Sequence, residues 1–160
     1  MDHKIMTTAE VAEAHALPRA HAVHSDPKAS CAETKPLPAG LTKTPVQDKS
    51  AAEWAYERLI LYIRNFEEQL DNEHEVAMGF TGADAGVIRI EGIGYFDPDI
   101  VTFYGSDSSG AKTQLIQHVT QMNVLLRALP KVRAGDAPNR IGFRLAADLE
   151  TEARGEADDG

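Results

Sequence analysis

Cysteine is nearly absent from this 160-residue chain: Cys31 stands alone, so no internal disulfide and no multi-cysteine zinc site can form, and packing has to hold the fold. Long apolar runs are missing as well. No stretch reaches the roughly 18 residues that mark a membrane-spanning helix. Met1 to Ala20 interleaves Asp2, Lys4, Glu10, Glu13 and Arg19 where a secretory leader would be unbroken and apolar. The expected compartment is the cytoplasm, with no membrane partner. Cations are in deficit: 16 Lys and Arg against 25 Asp and Glu leave a formal charge of −9. Each phosphate contact needs a cation, so nucleic acid is not an expected partner. Aromatic residues make up 6% of the chain, and none precedes residue 50.

That last absence, together with Pro18, Pro27, Pro36, Pro38 and Pro45, sets residues 1–49 apart. Such a stretch can bury too little apolar area to offset an ordering cost of about 1–2 kcal/mol per residue. It reads as a disordered arm whose six basic and six acidic side chains cancel. A short helix over Thr8–Ala16 is conceivable there, though one of that length is marginal in water. At the other end, residues 146–160 hold six acids against Arg154, a net of −5, and read as a solvated tail. What remains, residues 50–145, is enough for one small core.

The core opens with a clear helix. Ser50-Ala51-Ala52-Glu53 fits a capping box, in which hydroxyl and carboxylate satisfy amides that have no helical partner. Ala55, Leu59, Tyr62, Phe66 and Leu70 then recur at helical spacing, and Trp54, Ile60, Leu61 and Ile63 widen the stripe. A helix from Ser50 to about Leu70 follows, with enough apolar breadth to be covered on more than one side. Strands come next: 75–80, 87–91, 100–104 and 112–118, with a turn near 82–86, a bulge signalled by Gly92 and Gly94, a break at Asp97-Pro98-Asp99 and a hairpin loop at 106–110. Residues 119–129 satisfy helical and strand spacing alike, and a short helix is the favoured reading; 140–145 alternates and suggests a last strand. The expected fold is therefore α+β, an N-terminal amphipathic helix on a small antiparallel sheet of four or five strands.

Few residues carry chemistry. Gly105 to Thr113 invites comparison with a phosphate-binding loop, but Ala111 separates Gly110 from Lys112, and a cradle of that kind needs the lysine directly after the glycine. The hairpin turn is the simpler reading, and a nucleotide-binding enzyme using the 105–113 loop is the less favoured alternative. His15, His21 and His24 lie in the arm, which offers no fixed geometry for a metal. Glu67, Glu68, Asp71, Glu73 and Glu75 crowd the helix end without the glycine-centred spacing of a calcium loop and read as a solvated face. No serine, histidine and acid set has a spacing that fixes a nucleophile beside a base. No catalytic residue, metal site or cofactor is expected. Basic side chains gather at Arg127, Lys131, Arg133, Arg140 and Arg144, where the acidic tail would neutralise them.

Several segments are similar to an uncharacterised bacterial family, domain of unknown function 6173: Ala52–Leu59, Asp71–Glu75, Ile93–Gly105, Gln114–Leu126 and Arg140–Phe143. The resemblance spans about residues 51–145 and implies no activity. In element order the chain also resembles the bacterial Sm-like RNA chaperones of the Hfq type, small barrels that form rings by strand pairing. Phe96-Asp97 before one strand and Gln114–His118 near the last carry that likeness, with Gln117-His118 where those proteins have a Lys-His pair. The leading expectation is a non-enzymatic binding or assembly module that self-associates or docks to a protein. The residues expected to meet the partner are Tyr95, Gln117, His118, Arg127, Lys131 and Arg140.

Overall fold

A computed structural model describes residues 19–38, 41, 46–80 and 86–158. The conceivable helix at Thr8–Ala16, His15 and most of the turn near 82–86 lie outside them. Helix α1, Ala51–Glu68, begins where Ser50 Oγ accepts a hydrogen bond from the Glu53 amide at 3.0 Å, half of the expected capping box. Its buried stripe is Ala52, Ala55, Tyr56, Leu59, Ile60 and Ile63. The stripe is rotated from the expected one: Tyr62 is 44% exposed. The breadth of the helix is explained by three neighbours, the sheet, the segment before the helix, and a second helix.

The strands are β1 (His74–Phe80), β2 (Val87–Phe96), β3 (Ile100–Ser106), β4 (Lys112–His118) and β5 (Val124–Pro130). All pairs are antiparallel, in the order β4-β3-β2-β1-β5, and the sheet is open. Strand β2 changes partner along its length. It meets β1 at Met78↔Ile88 and Gly79↔Val87, then pairs with β3 from Arg89↔Ser106 to Phe96↔Ile100, with a register shift between Ile90 and Gly92 where the bulge was expected. Close approach at that crossing requires Gly105, since a Cβ there would sit 2.2 Å from the Arg89 carbonyl oxygen. Phe103, Ile60, Ile63, Met78, Ile90 and Val101 fill the space under α1, and the rings of Phe80 and Phe103 meet edge to face at 4.9 Å.

Two expectations are corrected. Residues 119–129 form a single 3-10 turn, Val119–Gln121, followed by β5, and no α-helix. Pairing with β1 over His74↔Pro130 to Phe80↔Val124 satisfies that backbone and sets Leu126 beside Met78, a tertiary gain that outweighs local helical spacing. The strand expected at 140–145 is instead the start of helix α2, Ile141–Asp158, which continues through the segment read as a solvated tail. Ile141, Leu145 and Leu149 recur every four residues, and the first two are buried with Ala146 against α1 and β2. Among the described residues no helix is long and apolar enough to cross a membrane.

Candidate interaction surface

Strands β4 and β5 are neighbours in the chain but lie at opposite edges of the sheet, seven residues each, with no strand on their outer sides among the described residues. Edges of monomeric sheets are ordinarily blunted by charge or proline. Here Lys112 and Arg127 are the charged residues of the two strands, and Pro130 stands at the very end. Cross-strand pairing defines the faces. Leu115 lies opposite buried Phe103 and Leu126 opposite buried Met78, so both face α1; Ile116 and Leu125 therefore face outward, where they are 62% and 55% exposed. Half-exposed Tyr104 joins them on β3. On the covered face, the open side of β5 borders an apolar groove of about 300 Å³ between Leu59, Tyr62 and Ile63 of α1 and Met122, Val124 and Leu126.

The six expected contact residues divide into two groups. Tyr95, Val101 and Gln117 share one row across β2, β3 and β4, and Tyr95 packs on Tyr56 with ring centroids 5.0 Å apart. The Gln117 Oε1 atom is buried without a hydrogen-bond partner. His118 closes β4 and is held from both sides: Nε2 lies 3.0 Å from Asp99 Oδ2, while Nδ1 lies 2.7 Å from Thr120 Oγ1 and accepts the Thr120 amide at 3.2 Å. An Nδ1 that accepts leaves the ring proton on Nε2, donated to Asp99. The arrangement caps the 3-10 turn, with Gln121 Oε1 accepting the His118 amide in return.

The other three sit by β1 and β5. Arg127 is exposed on β5 opposite Ala77. Lys131 and Arg140 are tied into the structure: the Lys131 amide donates to Glu73 O at 2.8 Å with its ammonium 3.5 Å from that carboxylate, and Arg140 donates to the carbonyls of His74 and Asp71, each at 2.8 Å. These two cations thus bind the loop into β1, where neutralisation by the chain's end was expected. The loop at 106–110 is the expected turn, and Asp107 Oδ1 already accepts from the amides of Ser109 and Ala111, the donors a phosphate would need. Lys112 pairs with Glu91.

Of the acidic group at the end of α1, Glu68, Asp71 and Glu73 are exposed as expected, whereas Glu67 and Glu75 are buried. Glu75 is buried between Arg89 and the Asn139 amide, and Glu67 is 2% exposed against the start of α2. Gly142 makes that contact possible, because a Cβ there would lie 2.1 Å from Glu67 Oε1. Neither Glu67 oxygen reaches hydrogen-bond geometry. Burial pushes its carboxyl up to about 7, against the opposing pull of the Gly142 and Phe143 amides and of Arg140. A signal was present in the sequence: Ile60, Ile63 and Glu67 share helical spacing, which placed the carboxylate on the apolar stripe. A second buried ion pair, Lys49 with Glu57 at 2.6 Å, carried no such signal. Among the described residues no cluster of three metal-ligating side chains occurs.

Fold and surface together define a class: an α+β domain whose leading helix covers one face of an open antiparallel sheet, with an exposed apolar side chain on each edge strand. Residues 45–144 match the model of a family of unknown function, DUF6173, and the chain belongs to that family. No curated protein and no solved structure matches it.

Proposed function

We propose that this chain is a self-associating assembly module whose copies join through the free edges of the sheet. One observation carries the reading: β4 and β5 are seven-residue edge strands, uncharged over Thr113–Gln117 in β4 and over Val124–Leu126 in the first half of β5, ahead of Arg127 at its middle, and each presents an exposed apolar side chain outward, Ile116 and Leu125. An edge of that kind is a template for another strand. The pleat supports pairing of β4 with β5 of a second copy. A strand added beside β5 sets its α1-facing side chains over the apolar groove, and Leu115 is such a side chain on β4; the outward Ile116 then falls beside Leu125. Because the two edges differ, that contact runs head to tail and closes into a ring or continues as a filament, whereas β4 on β4 would stop at a dimer.

Light scattering of the full chain at micromolar concentration tests this. A particle several chains in mass is expected, and Ile116→Lys or Leu125→Lys, each at an exposed site, reduces it to single chains. A wild-type chain that stays monomeric refutes the proposal.

A second reading, an Sm-like RNA-binding module, draws support from a leading helix followed by five antiparallel strands. It predicts salt-sensitive gel shifts that are lost in His118→Ala and Arg127→Ala. The overall charge of −9 and Gln117 weigh against it.

A further inference from the structure

We propose that the space between the segment preceding α1 and the outer face of that helix is a binding site for an organic anion with an apolar body. The space measures about 570 Å³, within the range of small-molecule sites. Its cover is fastened at several points. Tyr62 donates to Glu33 at 2.6 Å, Ser30 and Asn65 exchange hydrogen bonds at 3.0 and 3.1 Å, Lys35 pairs with Glu68, and on the far side Lys49 donates to Leu41 O at 2.7 Å. With Lys49 also paired to Glu57 of α1, these contacts hold the segment to the helix around the space.

The walls divide by chemistry. Leu37, Leu41 and Leu61 supply an apolar floor, and Arg19, His21 and Arg58 supply donors at the rim. Among the described residues neither Arg19 nor Arg58 has a carboxylate partner. The acid in the walls, Glu33, is already engaged by the Tyr62 hydroxyl, and Lys35 by Glu68. Arg58 is held in place by stacking on Trp54, 4.9 Å from the ring centroid, which leaves the outer nitrogens of the guanidinium to a ligand. Two guanidiniums without a carboxylate partner among the described residues, set over leucines in a chain of net charge −9, favour a carboxylate or phosphate head on a hydrocarbon body. No strand residue lines this site, and it shares only Tyr62 with the groove beside β5.

Trp54 is the chain's one tryptophan and lines the space, so its fluorescence reports occupancy. The full chain is titrated with decanoate, decanol and inorganic phosphate, with calorimetry as a second readout. Decanoate is expected to give a saturable change, decanol to bind about tenfold or more weakly, and phosphate alone to give none. Arg19→Gln, in the covering segment and away from the core, should remove most of the advantage of decanoate over decanol; Arg58→Gln, followed by calorimetry because it touches Trp54, should do the same. No saturable response to decanoate, equal binding of decanol, binding of phosphate alone as tight as decanoate, or an unchanged preference in both variants overturns the proposal.

Discussion

Replacing Glu67 with Gln keeps the shape of a buried side chain and removes its ability to ionise, so the variant isolates the cost of a charge beneath α2. In the folded chain the carboxyl is raised from 4.5 to about 7, chiefly by burial. The sign follows from which state holds the proton. Between those values the folded form keeps a proton that the unfolded form has released, so wild-type stability falls as pH rises from about 4.5 and levels off above about 7. At about 1.4 kcal/mol per pH unit, the gap between 4.5 and about 7 amounts to about 3 kcal/mol, as an upper figure because local opening of α2 would relieve part of it. The neighbouring charges, Arg64, Glu68 and Arg140, are unchanged by the substitution. Urea unfolding followed by Trp54 fluorescence at several pH values measures the effect. Wild type and Glu67→Gln should match near pH 4.5, and the variant should be more stable by about 2–3 kcal/mol at pH 8. A difference that does not vary with pH, or a variant less stable at pH 8, would refute the reasoning.

Other consequences can be checked on the same preparations. Gly142→Ala places a methyl group 2.1 Å from Glu67 Oε1 and 2.9 Å from the Arg64 amide nitrogen, and should lower stability by about 1–3 kcal/mol, seen as a lower melting temperature. Lys49→Ala removes the buried ammonium that lies 2.6 Å from the Glu57 carboxylate and donates to Leu41 O, and should cost about 3–5 kcal/mol, read from the urea midpoint. Phe103→Ala, at 1% exposure in the middle of the sheet, should cost about 3–5 kcal/mol in the same assay.

How much was legible depended on the range of the determining contacts. The start of α1 could be read because Ser50 and the Glu53 amide are three residues apart. The turns were readable for the same reason, since Asp107 binds the amides of Ser109 and Ala111 next to it. The β5 segment was misread because its deciding partner, β1, lies about fifty residues earlier in the chain, as in Met78↔Leu126. Residues 140–145, which run into the start of α2, alternate well enough to imitate a strand, and only the longer run Ile141, Leu145, Leu149 reveals the helix. Of the expected contact residues, Lys131 and Arg140 proved to be struts for the loop into β1, and no pattern within their own segment announced it.

Periodicity, caps and turn residues are properties of neighbours in the chain, and from them the sequence alone determined a leading amphipathic helix, four following strands and the absence of a disulfide framework. Strand order, the placing of β4 and β5 at the two edges, the covered space beside α1 and the burial of Glu67 were decided only in three dimensions. Each depends on which distant segment arrives beside which, and that choice is made by the total area buried and the hydrogen bonds completed across the whole fold.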